Sequence, residues 1–568
     1  MRIGRLFREC RGVGGSLVAQ LPVLMLVLVP AVLMLSGCAG SAGSRTSDSG
    51  QGAQPKVSRV AMAVVPPLKE GNETRNLGSP DAWPMRPMYE YLVGLDPGTG
   101  AAIPQLATAW KVGPDGQSFR FMLRKGVKFH GDNGEFTAKD LIHPWKEIIK
   151  EDSLAGAAPT WRTDLRDIEV VSDYEAVYHL TQPDGFFLST VSENRGGMEI
   201  FSKKHFDAIG PATLTGGPIA GTGAFEFATR EQSAYLRFRR VPFTHWRGTP
   251  DVQEFEFRFM KEPSTRLASL ITGETQMADL PEDLKPQAVQ QGFTPIAGKV
   301  SALRLFMTIF CCFLKDPKNP SLGYDANQSP LLDVRVRKAL DKAINRDELN
   351  RSFLGGKGEV MKANPFHPTR PGWSDELVKQ FPAEYGYDPA AASALLADAG
   401  YGPANPLQTN ILQTDASGFP NAKDMAEAIA GYWSKVGVKV DLVQQETDQI
   451  TKLSRQFKFT NHFQMVGTSS DIYTGTISRG YSFLSRGSGL ELPDADAAIV
   501  QIANTLDEQK QDALFQKVAL VRLQQHQSVP LFWVPAEITV NPKVIAAYVF
   551  PGAVTGNWSH VQNIKLVQ

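Results

Sequence analysis

An α/β fold spread over more than one domain is what the sequence predicts, and three observations carry the prediction. Stretches with apolar residues at every second position take turns with stretches whose apolar residues recur at helical spacing. The 50 glycines and 38 prolines call for many connections between short elements rather than long bundled helices. At 568 residues the chain exceeds what one hydrophobic core sustains, so about two to four domains are expected.

Composition narrows the function. Apolar residues make up 42% and charged residues 21%, the mix of a soluble globular protein. Lysine and arginine total 59, as do aspartate and glutamate. That balance supplies no electrostatic reason to bind nucleic acid or an anionic membrane face.

The first element is a leader. Arg2, Arg5, Arg8 and Arg11 form a basic head before an apolar run at residues 21–35. The run falls short of the roughly 20 apolar residues that a membrane-spanning helix needs, so residues 1–37 read as a secretion signal. Leu35-Ser36-Gly37-Cys38 then resembles the lipobox of bacterial lipoproteins. The resemblance implies that the Cys38 thiol takes a diacylglycerol, that the bond before it is cut, and that the acyl chains anchor the protein. Residues 39–56, AGSAGSRTSDSGQGAQPK, carry almost no large apolar side chains and read as a flexible tether.

Strands and helices follow in alternation. In SFRFML, Phe119, Phe121 and Leu123 alternate with Arg120 and Met122, and in EFEFRFM, Phe255, Phe257 and Phe259 alternate with Glu256 and Arg258. Both patterns predict half-buried strands. VRVRKALDKAI places Val336, Leu340 and Ile344 on one helical stripe, and Asn345 with Glu348 caps a following helix. YDPAAASALLADAGY reads as a helix capped by Asp388, opened by Pro389 and closed by Gly400, with Ala392, Leu395, Leu396 and Ala399 inward. Met425, Ile429, Tyr432, Trp433 and Val436 form another stripe, ended by Gly437, after which Val438, Val440 and Leu442 begin a strand. Pro144, in DLIHPWKEI, is expected to kink or shorten its helix.

Cysteine and histidine suggest no cofactor. Beyond Cys10 and Cys38, only the adjacent Cys311 and Cys312 remain. Neighbours in sequence are poorly placed to bond each other, so both read as small buried hydrophobes. The nine histidines lie singly, with no H-E-x-x-H pair, and no G-x-S-x-G elbow is present. His130 and His143 read as surface or turn residues rather than metal ligands.

Several segments, in order, resemble the solute-binding proteins of peptide-type ABC importers, the oligopeptide, dipeptide and nickel-binding group called family 5. They include Leu95-Asp96-Pro97, Pro104 to Trp110, Asp115-Gly116, Leu123 to His130, and Gly221-Thr222-Gly223-Ala224-Phe225. LITGETQMADL, LDVRVRKALDKAINRDEL and WSKVGVKVDLV continue the series, which spans about residues 57–550. Ala224 stands where the family has proline, and Gln276 where it has an acidic residue.

The resemblance implies a two-lobed clamshell of the periplasmic-binding-protein kind that closes on its solute. Lobe I is expected from residues 57–90, 211–300 and 531–568, an inserted subdomain from 91–210, and lobe II from 301–530. In the oligopeptide group a GWxxD segment pairs with the ligand backbone and meets its α-ammonium. Here Gly467 and Asp471 keep that spacing, while Thr468 replaces the tryptophan. Gly467, Thr468, Ser469, Asp471 and Tyr473 are therefore the candidate ligand-binding residues. Two roles stay open for Asp471: partner of an ammonium, or cap of the next turn.

The expected protein is a monomer without cofactor, metal or catalytic residue, held outside the cytoplasm by lipid on Cys38. It would pass a peptide or peptide-like solute to ABC permease subunits. A receptor for a metal chelate such as nickel, another non-peptide solute, a signalling lipoprotein and a surface hydrolase are the alternatives.

Overall fold

The computed structural model describes residues 58–568 outside the segments 76–81, 156–157, 194–197, 214–216, 312–328, 417–418, 447–448, 451–452, 454–460, 469–489 and 553–557 and the single positions 68, 74, 100, 302, 415, 420 and 491. Among the described residues the strands gather into three larger sheets. One has seven strands, in the order Thr294–Ala297, Glu537–Val540, Met277–Ala278, Arg59–Val64, Glu254–Phe259, Tyr235–Arg240, Phe225–Glu231. A second has six: Glu359–Val360, Ser528–Val534, Leu303–Phe310, His462–Thr468, Gln408–Gln413, Lys439–Gln444. The chain crosses from the first to the second between Ala297 and Leu303, and returns between Val534 and Glu537. The Gly298 amide donates to the Ala536 carbonyl at 2.7 Å, tying the two crossings side by side. The architecture is the α/β, two-lobed one expected.

The third sheet is antiparallel, ordered Ala107–Val112, Ser118–Leu123, Glu175–Leu180, Leu165–Ser172. It encloses a core of its own around Phe119, Phe121, Trp161, Tyr178 and Phe187, and forms a four-stranded subdomain. Ser118–Leu123 alternates as its sequence predicts, with Phe119, Phe121 and Leu123 buried and Arg120 exposed. Leu303–Phe310 does not alternate and is buried along its whole length, the pattern of a strand covered on both faces.

Local signals build the helices that cover these sheets. Asp388 accepts from the Ala391 amide at 2.9 Å ahead of Pro389–Asp398, and Gly400 takes a φ of +90°. Asn345 accepts from the Glu348 amide at 3.0 Å ahead of Arg346–Leu354. Val336, Leu340 and Ile344 are buried, as are Met425, Ile429, Tyr432, Trp433 and Val436. Pro144 lies in the first turn of Ile142–Ile148, a helix of only seven residues.

Four positions differ from expectation. Leu442 is exposed because Lys439–Gln444 is the outermost strand of its sheet. Glu256 is fully buried because arginines close over it: Arg237 from the neighbouring strand and Arg258 two residues on in its own reach its carboxylate at 2.6 and 2.7 Å, and Arg59 also pairs with it. Burial alone would raise that carboxyl, but the hydrogen bonds from Arg237 and Arg258 hold it below its ordinary value. Cys311 is buried as expected but is disulfide-bonded, not a free thiol. Cys312 lies outside the described residues. His130 is buried rather than superficial, its Nε2 bonded to the Gly223 carbonyl at 2.9 Å.

Candidate functional site

Both crossing segments leave strand ends of the six-stranded sheet facing the other lobe. Leu303–Phe310 begins just after one crossing, and Ser528–Val534 ends just before the other. His462–Thr468 lies antiparallel beside Leu303–Phe310, so Thr468 finishes at the same end. Register then aligns Thr468, Arg304, Trp533 and Glu359 in one row across four strands. Residues paired across neighbouring strands share a face, so this row is a single polar and aromatic strip at the end of the sheet nearest the crossings.

Arg304 is buried in that strip. Its Nη1 donates to the Asn364 side-chain oxygen, and its guanidinium lies 5.4 Å from the Phe306 ring and 5.8 Å from the Trp533 ring. Trp533 also takes the Arg370 guanidinium at 4.7 Å and the edge of His367 at 5.1 Å. His367 Nε2 meets Glu359 at 3.0 Å, a bond that holds the Glu359 carboxyl below its ordinary range. The Trp533 Nε1 proton is buried without an acceptor among the described residues.

Gly467 and Thr468 sit where this strip meets the strand end. Gly467 faces Leu305 in the ladder, and Thr468 faces Arg304. On the opposite edge of the strand, Gln408–Gln413 pairs only with His462, Phe463 and Gln464. Among the described residues, no strand pairs with 465–468 on that side. Their backbone groups there can accept or donate to an extended guest. Ser469, Asp471, Tyr473 and Cys38 lie outside the described residues.

Among the described residues, no group of three or more His, Cys, Asp or Glu side chains is placed to hold a metal ion. No described helix is long and apolar enough to cross a membrane. Sequence reasoning missed Arg304 and Trp533, although a signal existed. Each is a bulky polar-tipped residue inside an apolar strand-like run, in LRLFMTIF and SVPLFWV.

Residues 101–489, more than half of the chain, match the model of the bacterial extracellular solute-binding proteins, family 5 Middle. The chain belongs to that family. Family 5 proteins are extracytoplasmic and serve ABC importers. The receptor is 28% identical to the dipeptide-binding protein of Escherichia coli K12 over 389 residues, 65% of this chain and 68% of the relative. It is 24% identical to heme-binding protein A of Haemophilus influenzae, over 91% of this chain and 94% of the relative. Its fold is similar to that of NikA from Brucella suis solved with Fe(III)-EDTA, with a TM-score of 0.72 and 20% identity over 89% of this chain and all of that one. The two curated relatives are named as binding proteins.

Proposed function

We propose that this family 5 receptor captures peptides between its lobes and hands them to the permease of an ABC importer, while lipid on Cys38 holds it at the outer face of the membrane. The observation that carries the reading is the edge of 465–468, which no described strand pairs, at the end of the sheet nearest the crossings. A receptor for peptides of varied sequence must grip what all peptides share, their backbone, and a free strand edge supplies that grip. Asp471, three residues beyond Thr468, supplies a carboxylate for the peptide's ammonium. Gly467, Thr468, Ser469 and Tyr473 flank that position. No residue is assigned a catalytic role, and energy for uptake comes from a separate ATPase. The monomer is the functional unit.

Calorimetry with tripeptides tests the reading. Asp471→Asn should weaken free-amine peptides by about tenfold or more and spare N-acetylated ones. Equal loss for both removes Asp471 from the site. Heat with heme or a metal chelate and none with any peptide transfers the reading to those solutes, which the relatives' names also admit. Cys38→Ala should abolish radiolabelling by fatty acid, and continued labelling places the anchor elsewhere.

A further inference from the structure

Among the described residues, the four-stranded subdomain meets the six-stranded lobe where turns of the two come together. Two stiff turns meet there. One is the loop between the helices Pro493–Ala503 and Glu508–Gln524. It is braced by Thr505 Oγ1 donating to Gln501 at 2.7 Å, by Gln511 Nε2 donating to Thr505 at 3.0 Å, and by Asp507 capping the second helix. The other comprises the 113–116 turn and the 184–186 segment, braced by Asp115 on the Gln117 amide and Asp184 on the Phe186 amide.

Glycines let these turns touch. The Gly185 amide donates to the Ala503 carbonyl at 3.2 Å. A Cβ on Gly185 would stand 2.5 Å from the Thr505 carbonyl oxygen, closer than real side chains come. A Cβ on Gly116, whose φ is +68°, would stand 2.6 Å from Leu506 Cδ1. Beside them the rings of Phe186 and Phe515 meet edge to face at 5.7 Å.

The subdomain's other junction, to the seven-stranded lobe, is built differently. The His130 amide donates to Gly221 at 2.9 Å and its imidazole bonds Gly223 at 2.9 Å. Arg124 stacks on Trp246 at 3.9 Å, and Trp246 Nε1 donates to the buried Glu90 at 3.1 Å. Leu154 and Ala155 donate to Arg75 at 2.7 and 3.1 Å. If the lobes part about their crossing segments, the subdomain must follow one of them. The buried polar junction makes the seven-stranded lobe its carrier, and the glycine contact is then the one that opens.

We propose that the contact of Gly116, Gly185 and Phe186 with 503–507 and Phe515 is a closure latch. It forms only when the lobes shut and adds its small free energy to the closed state. Apparent affinity scales with the fraction of molecules able to close, so the latch tunes affinity without touching the solute. The inference rests on a hinged two-lobed receptor and is independent of which solute is bound.

Amide hydrogen exchange of the full chain, without added solute, is the test. A latch predicts that the amide of Gly185 exchanges at least about a hundredfold faster than those of His130 and Leu154, which donate across the other junction, because it opens without unfolding that junction. Gly185→Ala should remove whatever protection 184–186 retains, while His130, Leu154 and the melting temperature stay as in the unmodified protein. Leu506→Ala, which removes packing instead of adding bulk, should do the same to a lesser extent. Equal protection of the Gly185 and His130 amides overturns the proposal. So does a Gly185→Ala protein in which His130 or Leu154 loses protection or the melt falls, since the contact would then belong to the static fold. Failure of the peptide reading leaves these outcomes untouched, because no solute enters the measurement.

Discussion

The four-stranded subdomain meets its two neighbours in opposite ways. Toward the seven-stranded lobe it offers His130, and an arginine stacked on Trp246, a tryptophan that in turn holds the buried Glu90. Toward the six-stranded lobe it offers glycine backbone and one aromatic edge. Parting the first junction would strip the buried His130 of its partners, and a buried polar group left unsatisfied costs about 1–3 kcal/mol; parting the second separates glycine turns from Leu506 and the Phe186 ring from Phe515, and forfeits apolar contact alone. The contrast teaches which junction holds and which can be released.

The largest effect should come from the holding side. Glu90 accepts from Trp246 and lies 3.6 Å from His245 and 3.7 Å from Arg247. Burial alone would raise its carboxyl, but the neighbouring His245 and Arg247 keep it below the ordinary value. Glu90→Ala should lower the free energy of unfolding by about 3 kcal/mol in urea titration, since it leaves the Trp246 Nε1 proton without its acceptor and Arg247 without its carboxylate. Glu90→Gln, which can still accept from Trp246, should cost less. A loss under about 1 kcal/mol for the alanine variant would break the contrast.

Acid should act on the same junction. Burial pushes the His130 imidazole down to about 4 from its ordinary 6.5, although the bond to Gly223 works the other way. The native state therefore refuses a proton that the unfolded chain accepts. This group leaves stability unchanged above pH 6.5 and lowers it progressively as pH falls from 6.5 toward 4, by about 3 kcal/mol in all. Urea midpoints at pH 7 and pH 4.5 should differ more in the native sequence than in His130→Gln. Equal differences would show that the junction tolerates the charge.

The smallest effect belongs to the contact with the six-stranded lobe. Leu506 is 41% exposed, so Leu506→Ala should change unfolding free energy by less than about 0.5 kcal/mol. A loss above about 1.5 kcal/mol would make this junction as structural as the other.

The same division runs through what could be read in advance. Phe119, Phe121 and Leu123 alternate into the core as their spacing predicts, and Asp388, Asn345, Gly400 and Gly437 act where the helices start and stop. Such signals are legible because capping and amphipathic period involve residues a few positions apart. Glu256 and His130 defied the rule that polar residues seek water, because partners far along the chain satisfy them in the interior. In the candidate site, Gly467 and Thr468 were named from the resemblance to family 5, whereas strand register is what brings Arg304 and Trp533 into the row of Thr468.

By itself, then, the sequence determined the class of the chain: its α/β alternation, its helix boundaries and its likeness to family 5. Short-range physics is enough for these, since hydrophobic period, caps and turn glycines act within a few residues. Only the tertiary structure decided that Arg304 and Trp533 share a row with Thr468, that no described strand pairs with 465–468 on one side, and that Gly116 and Gly185 meet Leu506 and Thr505. Those pairings join residues far apart in the chain, and their distances follow from how whole sheets pack rather than from any local pattern.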